Sequence, residues 1–207
     1  MSVFVSKIEW PVETNHKKIV GAILAAGGST RFGSPKQLAK FGTKILLDLA
    51  HDALLGSQVD SACIVLGCEA NHFSRLIEKK GTSITVIENS QWQDGMASSI
   101  RAATEFARTQ EATHLLLLVC DQPFVTHDTV DHLLAMVESN DSSIVASRYG
   151  DTVGIPALFP ASYFEQLTSL QGDKGAKSII QKSENVVYFD FPEGNIDIDS
   201  PADLIAK

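Results

Sequence analysis

Cysteine is scarce in this chain: there are three, Cys63, Cys68 and Cys120, an odd number with no Cys-x-x-Cys pair and no histidine at ligand spacing. That excludes a disulfide framework and a zinc site of the usual pattern, and leaves buried reduced thiols as the expectation. Long apolar runs are missing too. The opening MSVFVSKIEWPVETNHKK holds no uninterrupted apolar stretch, and no later run approaches the ~18 apolar residues of a membrane span. The reducing cytoplasm is therefore the expected location. Positive charge is in deficit, with 17 Lys and Arg against 25 Asp and Glu for a formal net charge of −8. A basic face able to displace counterions from nucleic acid or an anionic bilayer is not expected, so neither nucleic acid nor membrane is expected as a partner. A few local cations suffice for a small anionic substrate. The six histidines (His16, His51, His72, His114, His127 and His132) form no pair at metal spacing, and surface or structural roles are expected of them.

No composition shift, low-complexity tract or internal repeat divides the 207 residues, of which 44% are hydrophobic and 20% charged. This is the balance of one globular domain, expected over residues 18–207 behind an extension of residues 1–17. Short apolar runs alternate with longer segments of helical period, the pattern of βαβ units. The expected fold class is α/β, Rossmann-like, three-layered, with a mostly parallel central sheet. Strands are predicted at Ile19–Leu24, Ala62–Leu66, Ile84–Ile87, Leu115–Val119, Ile144–Ala146 and Val186–Phe189. Helices are predicted at Lys44–Leu55, Asn71–Lys79, Met96–Arg108, Asp128–Glu138, Ala161–Leu170, Gly175–Gln181 and Pro201–Ala206. The run Leu115–Val119 is apolar at every position, as a central strand buried on both faces must be.

In an open α/β sheet, ligands bind outside the carboxyl ends of the strands, so the segments just after each apolar run carry the chemistry. After the first comes LAAGGSTRFGSPKQL, Leu24 to Leu38. Its small residues Ala25, Ala26, Gly27, Gly28 and Ser29 let consecutive backbone N–H groups turn toward phosphate oxygens. Arg31 and Lys36 add two cations five residues apart, a guanidinium that grips two oxygens and an ammonium that acts as a point charge, which suits a triphosphate. The loop is neither GxGxxG nor Walker A.

Asp121 directly follows the most apolar strand, where a carboxylate faces the ligand crevice and can hold Mg2+ through oxygen. Thr126 or Asp128 could cap the next helix. Asp197 and Asp199 are one residue apart, so in an extended strand they point the same way, and either could be a second metal ligand. Ser200 is a good N-cap, Pro201 suits the first helical position, and Asp203 completes a cap-like arrangement. Gly95 to Ser99 open another helix whose free N–H groups and hydroxyls, those of Ser98 and Ser99, could bond a nucleobase edge. Asn89 is a weaker candidate of the same kind.

The pattern LAAGxSxRFGxxKxL resembles the signature loop of the MobA-like NTP transferase family, and four further segments extend the likeness: WQDGMASS (92–99), CDQP (120–123), GIPALF (154–159) and DIDSPADL (197–204). With GDKGA at 172–176, the chain looks most like the branch that transfers cytidylyl groups to the molybdenum cofactor. The resemblance implies a Mg2+-dependent enzyme acting on CTP and a molybdopterin-type cofactor, with a recipient molybdoenzyme or its maturation factor as further partner. It assigns Arg31 and Lys36 to catalysis and Leu24, Ala25, Ala26, Gly27, Gly28, Ser29, Gly95, Ser98 and Ser99 to the nucleotide. It assigns Gly154, Pro156 and Gly175 to the acceptor side, where Lys174 could contact the acceptor phosphate, and Asp121 with Asp199 rather than Asp197 to the metal. Guanylyl-transferring relatives typically read LAGG where this chain reads LAAG, and Ala26 thus favours CTP. The alternatives are guanylyl or adenylyl transfer to molybdopterin or another phosphorylated acceptor, and a non-catalytic carrier of the cofactor.

Overall fold

In the computed structural model residues 17–29 and 31–204 are described, and seven strands among them form one sheet. Residues 1–16 of the expected 1–17 extension, His16 among them, the loop residue Thr30, and residues 205–207 with the end of the expected Pro201–Ala206 helix lie outside the described residues. The strands are β1 (Ile19–Ala25), β4 (Ser61–Leu66), β5 (Thr85–Glu88), β6 (His114–Val119), β7 (Ile144–Tyr149), β8 (Thr152–Pro160) and β9 (Val186–Asp190), and their order across the sheet is β5-β4-β1-β6-β8-β7-β9. A separate two-stranded ladder pairs β2 (Lys40–Phe41) with β3 (Lys44–Ile45). The helices are α1 (Leu46–Leu55), α2 (Ala70–Glu78), α3 (Met96–Thr109), α4 (His127–Val137), α5 (Phe164–Thr168) and α6 (Lys177–Ile180).

Alternation along the strands splits the core into two layers. Ile23 and Ala25 of β1, Ile64 and Leu66 of β4 and Leu116 and Leu118 of β6 pack against α1, α2 and α4. Val20, Ala22 and Leu24, with Val65, Leu115 and Leu117, face α3, α5 and α6. Side chains of period two thus build both outer layers, giving the three-layer α/β arrangement that the pattern predicted. The apolar run of β6 lies mid-sheet, flanked by β1 in parallel and β8 antiparallel.

Several boundaries differ from expectation. Lys44 and Ile45 are strand rather than helix, because they close the hairpin with Lys40 and Phe41 before α1 begins. The helix expected over Ala161–Leu170 splits into a 3-10 turn, Ala161–Tyr163, and the short α5. The one expected over Gly175–Gln181 shrinks to α6, and Pro201–Leu204 is a 3-10 turn. β7 runs three residues past its expected end because it pairs with β8, a strand that was not predicted. Gly154 and Pro156 argue against a strand interior, since proline donates no ladder hydrogen bond. The structure resolves the conflict with a register shift between Ala146 and Ser147. There the Ser147 hydroxyl donates to the Pro156 carbonyl oxygen at 2.7 Å.

Candidate active site

The carboxyl ends of the parallel strands β1, β4, β5 and β6 share one edge of the sheet, where the segments leaving them build a site. Leu24, Ala25 and Ala26 are still buried as β1 ends, and the chain surfaces at Gly27. The N–H groups of Phe32 and Gly33 turn back to the Ser29 carbonyl oxygen at 2.9 and 3.3 Å. Ser29 and Gly33 take positive φ of 51° and 76°, the left-handed region that glycine enters freely. Gln37 lies buried beneath this loop, and its amide Nε2 donates to the carbonyl oxygens of Ala25 at 2.9 Å and Gly27 at 3.1 Å. The Ser29 hydroxyl accepts the Lys36 N–H at 3.0 Å, fixing the backbone of that lysine. Between the loop and Cys68 with Glu69, just past β4, lies a cavity of ≈ 310 Å³.

Two carboxylates and two cations meet beside the loop. Lys36 Nζ stands 2.5 Å from Asp121 Oδ2 and 3.1 Å from Asp199 Oδ1, and Arg31 reaches Asp199 Oδ2 at 2.9 Å. The backbone holds this cluster together. The Ile198 N–H donates to the Asp121 carbonyl oxygen at 2.9 Å, tying the C-terminal segment to the end of β6. Asp203 Oδ2 accepts the N–H groups of Asp199 and Ser200 at 3.0 and 2.7 Å and the Ser200 hydroxyl at 2.9 Å, the expected cap-like arrangement. Burial works against the charge on Lys36, but Asp121 and Asp199 outweigh it and hold its pKa above the ordinary value. Asp197 also belongs here: burial, then the charges of Asp121 and Asp199, push its carboxyl up to about 6.

A second cavity, of ≈ 120 Å³, opens between β8 and the start of α3. Its walls are mostly apolar, with Leu24, Met96, Leu117, Tyr149 and Ile155 beside Gly154, Gly175 and Lys177. Gly154 has a steric reason to be glycine, since a Cβ there would overlap the Tyr149 hydroxyl. Gly194 is constrained as well, since a Cβ there would come within 2.6 Å of Phe191 Cδ1 and 2.8 Å of Tyr149 Cδ1. Burial, followed by Asp197, raises the pKa of Tyr149.

Not every expected site residue reaches these spaces. The Ser98 and Ser99 hydroxyls are buried and accept from Asn89 Nδ2 at 2.8 and 3.2 Å. Gly95 adopts φ 93° and packs against Gly172 and Asp173, while the Gly172 carbonyl oxygen caps α3 by accepting the Ala97 N–H at 3.0 Å. Leu24 lines the second cavity, Pro156 is buried in β8, and Lys174 lies in a separate surface groove with Glu165. Gln37, Gln122 and Tyr149 were not singled out in the sequence. Gln37 sits inside the recognised loop pattern, so only its position could have flagged it. Gln122 is buried beside Asp121, donating to the Gly194 carbonyl oxygen at 2.9 Å.

Residues 21–186 match the model of the MobA-like NTP transferase domain. The purine catabolism protein PucB of Bacillus subtilis is 25% identical over 174 residues, spanning 80% of this chain and 82% of that protein. A probable molybdenum cofactor guanylyltransferase of Geobacillus is 28% identical over 169 residues, spanning 79% and 82%. Among solved structures, Rv0371c of Mycobacterium tuberculosis superposes with a TM-score of 0.74 at 28% identity, over 92% of this chain and 97% of that one. Rv0371c has also been solved as a complex with manganese.

Proposed function

Because this chain belongs to the MobA-like NTP transferase family, we propose that it transfers the cytidylyl group of CTP to the terminal phosphate of a molybdopterin-type cofactor. The products are the cytosine dinucleotide form of the cofactor and pyrophosphate. The observation that carries the reading is the meeting of Arg31 and Lys36 with Asp121 and Asp199 beside a loop of small residues. That is a phosphate grip placed against a pair of oxygen ligands. Relatives named for the molybdenum cofactor support the acceptor, and the apolar cavity behind Tyr149 suits a flat ring system. Those relatives are named guanylyltransferases, so GTP is the second reading; Ala26 within LAAG favours CTP.

The donor set fits Mg2+, since Asp121 and Asp199 offer carboxylate oxygens from two segments at one point. Among the described residues no group of three or more His, Cys, Asp or Glu side chains is disposed to hold a metal, so phosphate oxygens and water would complete its shell. When bound, Mg2+ neutralises triphosphate charge and favours in-line displacement. The chain's own groups do the rest. Backbone amides of the loop orient the triphosphate, while Arg31 and Lys36 stabilise charge on the α-phosphate and on the departing pyrophosphate. The attacking phosphate is already anionic and needs no general base. Release of pyrophosphate on mixing the protein with CTP, Mg2+ and molybdopterin tests the reading. A non-catalytic carrier would bind the cofactor and release none.

A further inference from the structure

The ammonium of Lys36 and a divalent cation need the same oxygens. Lys36 Nζ contacts Asp121 Oδ2 and Asp199 Oδ1, and Arg31 takes Asp199 Oδ2. Three carboxylate oxygens of the seat are therefore each engaged by a positive group. Mg2+ requires its oxygens at ~2.0–2.1 Å in near-octahedral geometry, and an ammonium in hydrogen-bond contact with those oxygens stands where the ion or its water must go. The side chains of Lys36 and Asp121 are only 16% and 18% exposed, so solvent screens the repulsion between the two cations poorly.

Lys36 also has somewhere else to go. Its backbone N–H is held by the Ser29 hydroxyl at 3.0 Å and Gln37 braces the loop from below, so its Cα is fixed and any move of the ammonium falls to rotation of the four-carbon stem. The loop at its root is the surface built for phosphate oxygens. A triphosphate seated there offers the ammonium new anionic partners and draws it from the carboxylates.

Resting on the nucleotidyl-transfer reading above, we infer that Lys36 occupies the metal seat until the triphosphate claims it, so that divalent cation and nucleotide bind with positive coupling. Lys36 then has two opposed roles. It weakens binding of the free metal ion, and it strengthens the ternary state by moving onto the phosphates. Coupling of this kind is reciprocal: the factor by which CTP tightens the metal is the factor by which the metal tightens CTP.

The test is Mn2+ binding, followed by electron paramagnetic resonance of the free ion, to the full chain without nucleotide. Lys36→Met keeps the length and apolar stem, and Lys36→Gln serves as a second variant in case the first misfolds. Thermal melts with and without Mn2+ give an independent readout. Both variants should bind Mn2+ more tightly than the natural protein, on the order of 10-fold, within the usual range of coupling between sites. Their melting temperatures should rise further on adding the ion. Equal or weaker Mn2+ binding by the variants overturns the inference. Pyrophosphate release by the natural protein is measured alongside. If release occurs while the variants bind Mn2+ no better, the inference alone falls; if no nucleotide gives release, the reading beneath it falls as well.

Discussion

The amide of Gln37, a residue only 1% exposed, donates to the carbonyl oxygen of Gly27 at 3.1 Å. Its second hydrogen bond, to Ala25 at 2.9 Å, spans the point where β1 gives way to the loop. One buried side chain therefore sets the path of the loop that leaves β1. Gln37→Leu fills the same space but leaves the two carbonyl groups without their donor. It should cost about 1–3 kcal/mol of stability, the usual penalty for stranding buried polar groups, and should raise KM for the nucleotide in a protein that still folds. Chemical denaturation and steady-state kinetics read the two effects, and an unchanged KM would remove Gln37 from the account of the loop.

Gly154 and Tyr149 should behave as a coupled pair. A Cβ at position 154 would overlap the Tyr149 hydroxyl and lie 3.3 Å from Cζ. Gly154→Ala should destabilise by about 1–3 kcal/mol through overpacking, and Tyr149→Phe, which removes the overlapped oxygen, should recover part of that loss in the double variant. A double-mutant cycle in urea measures this coupling. Simple additivity would mean that the ring is not held as described.

How much of this was legible in the sequence follows from what kind of contact each feature needs. Strands β1, β4 and β6 and helices α1 to α4 were readable because their apolar spacing repeats locally, as in the unbroken run of β6, whereas the helices expected over 161–170 and 175–181 proved shorter. The loop with Arg31 and Lys36 was readable because its small residues and cations are contiguous. β8 was not, since Gly154 and Pro156 are breakers unless a register shift opposite Ser147 absorbs them. Nor was the strand character of Lys44 and Ile45, whose strand pairing among the described residues is with Lys40 and Phe41. Lys36 and Asp121 were each picked out singly, but their contact crosses 85 residues and that with Asp199 crosses 163. No local pattern encodes such a meeting, nor the burial of Ser98 and Ser99 against Asn89.

The three thiols should react unequally. Burial pushes Cys63 and Cys120 up to about 12, leaving almost no thiolate at neutral pH. Cys68 is partly exposed and borders the cavity beside Gly27 and Gly28. Iodoacetamide should therefore label Cys68 first in the folded protein, and saturating CTP should slow that labelling. Peptide mass spectrometry decides; equal rates with and without nucleotide would place the nucleotide elsewhere.

His114 gives the fold an acid-sensitive point away from the site. Burial holds its pKa below the ordinary 6.5, although the nearby Asp141 and Glu138 pull upward while Lys17 pulls down. A histidine kept neutral in the folded state contributes stability that is fully present above about 6.5, its unfolded value. That stability is lost as pH falls through the lower folded value, because the unfolded chain takes up the proton first. Unfolding free energy should decline below pH ~6.5, and His114→Gln should flatten that decline. An identical pH profile for the variant would assign the loss to other groups.

The most direct test of the central claim is a nucleotide panel: pyrophosphate release with CTP, GTP and ATP in turn, each with Mg2+ and molybdopterin as acceptor. Release should depend on molybdopterin, with the highest kcat/KM for CTP. A preference for GTP or ATP would contradict the cytidylyl reading, and no release with any of the three would contradict nucleotidyl transfer to this acceptor.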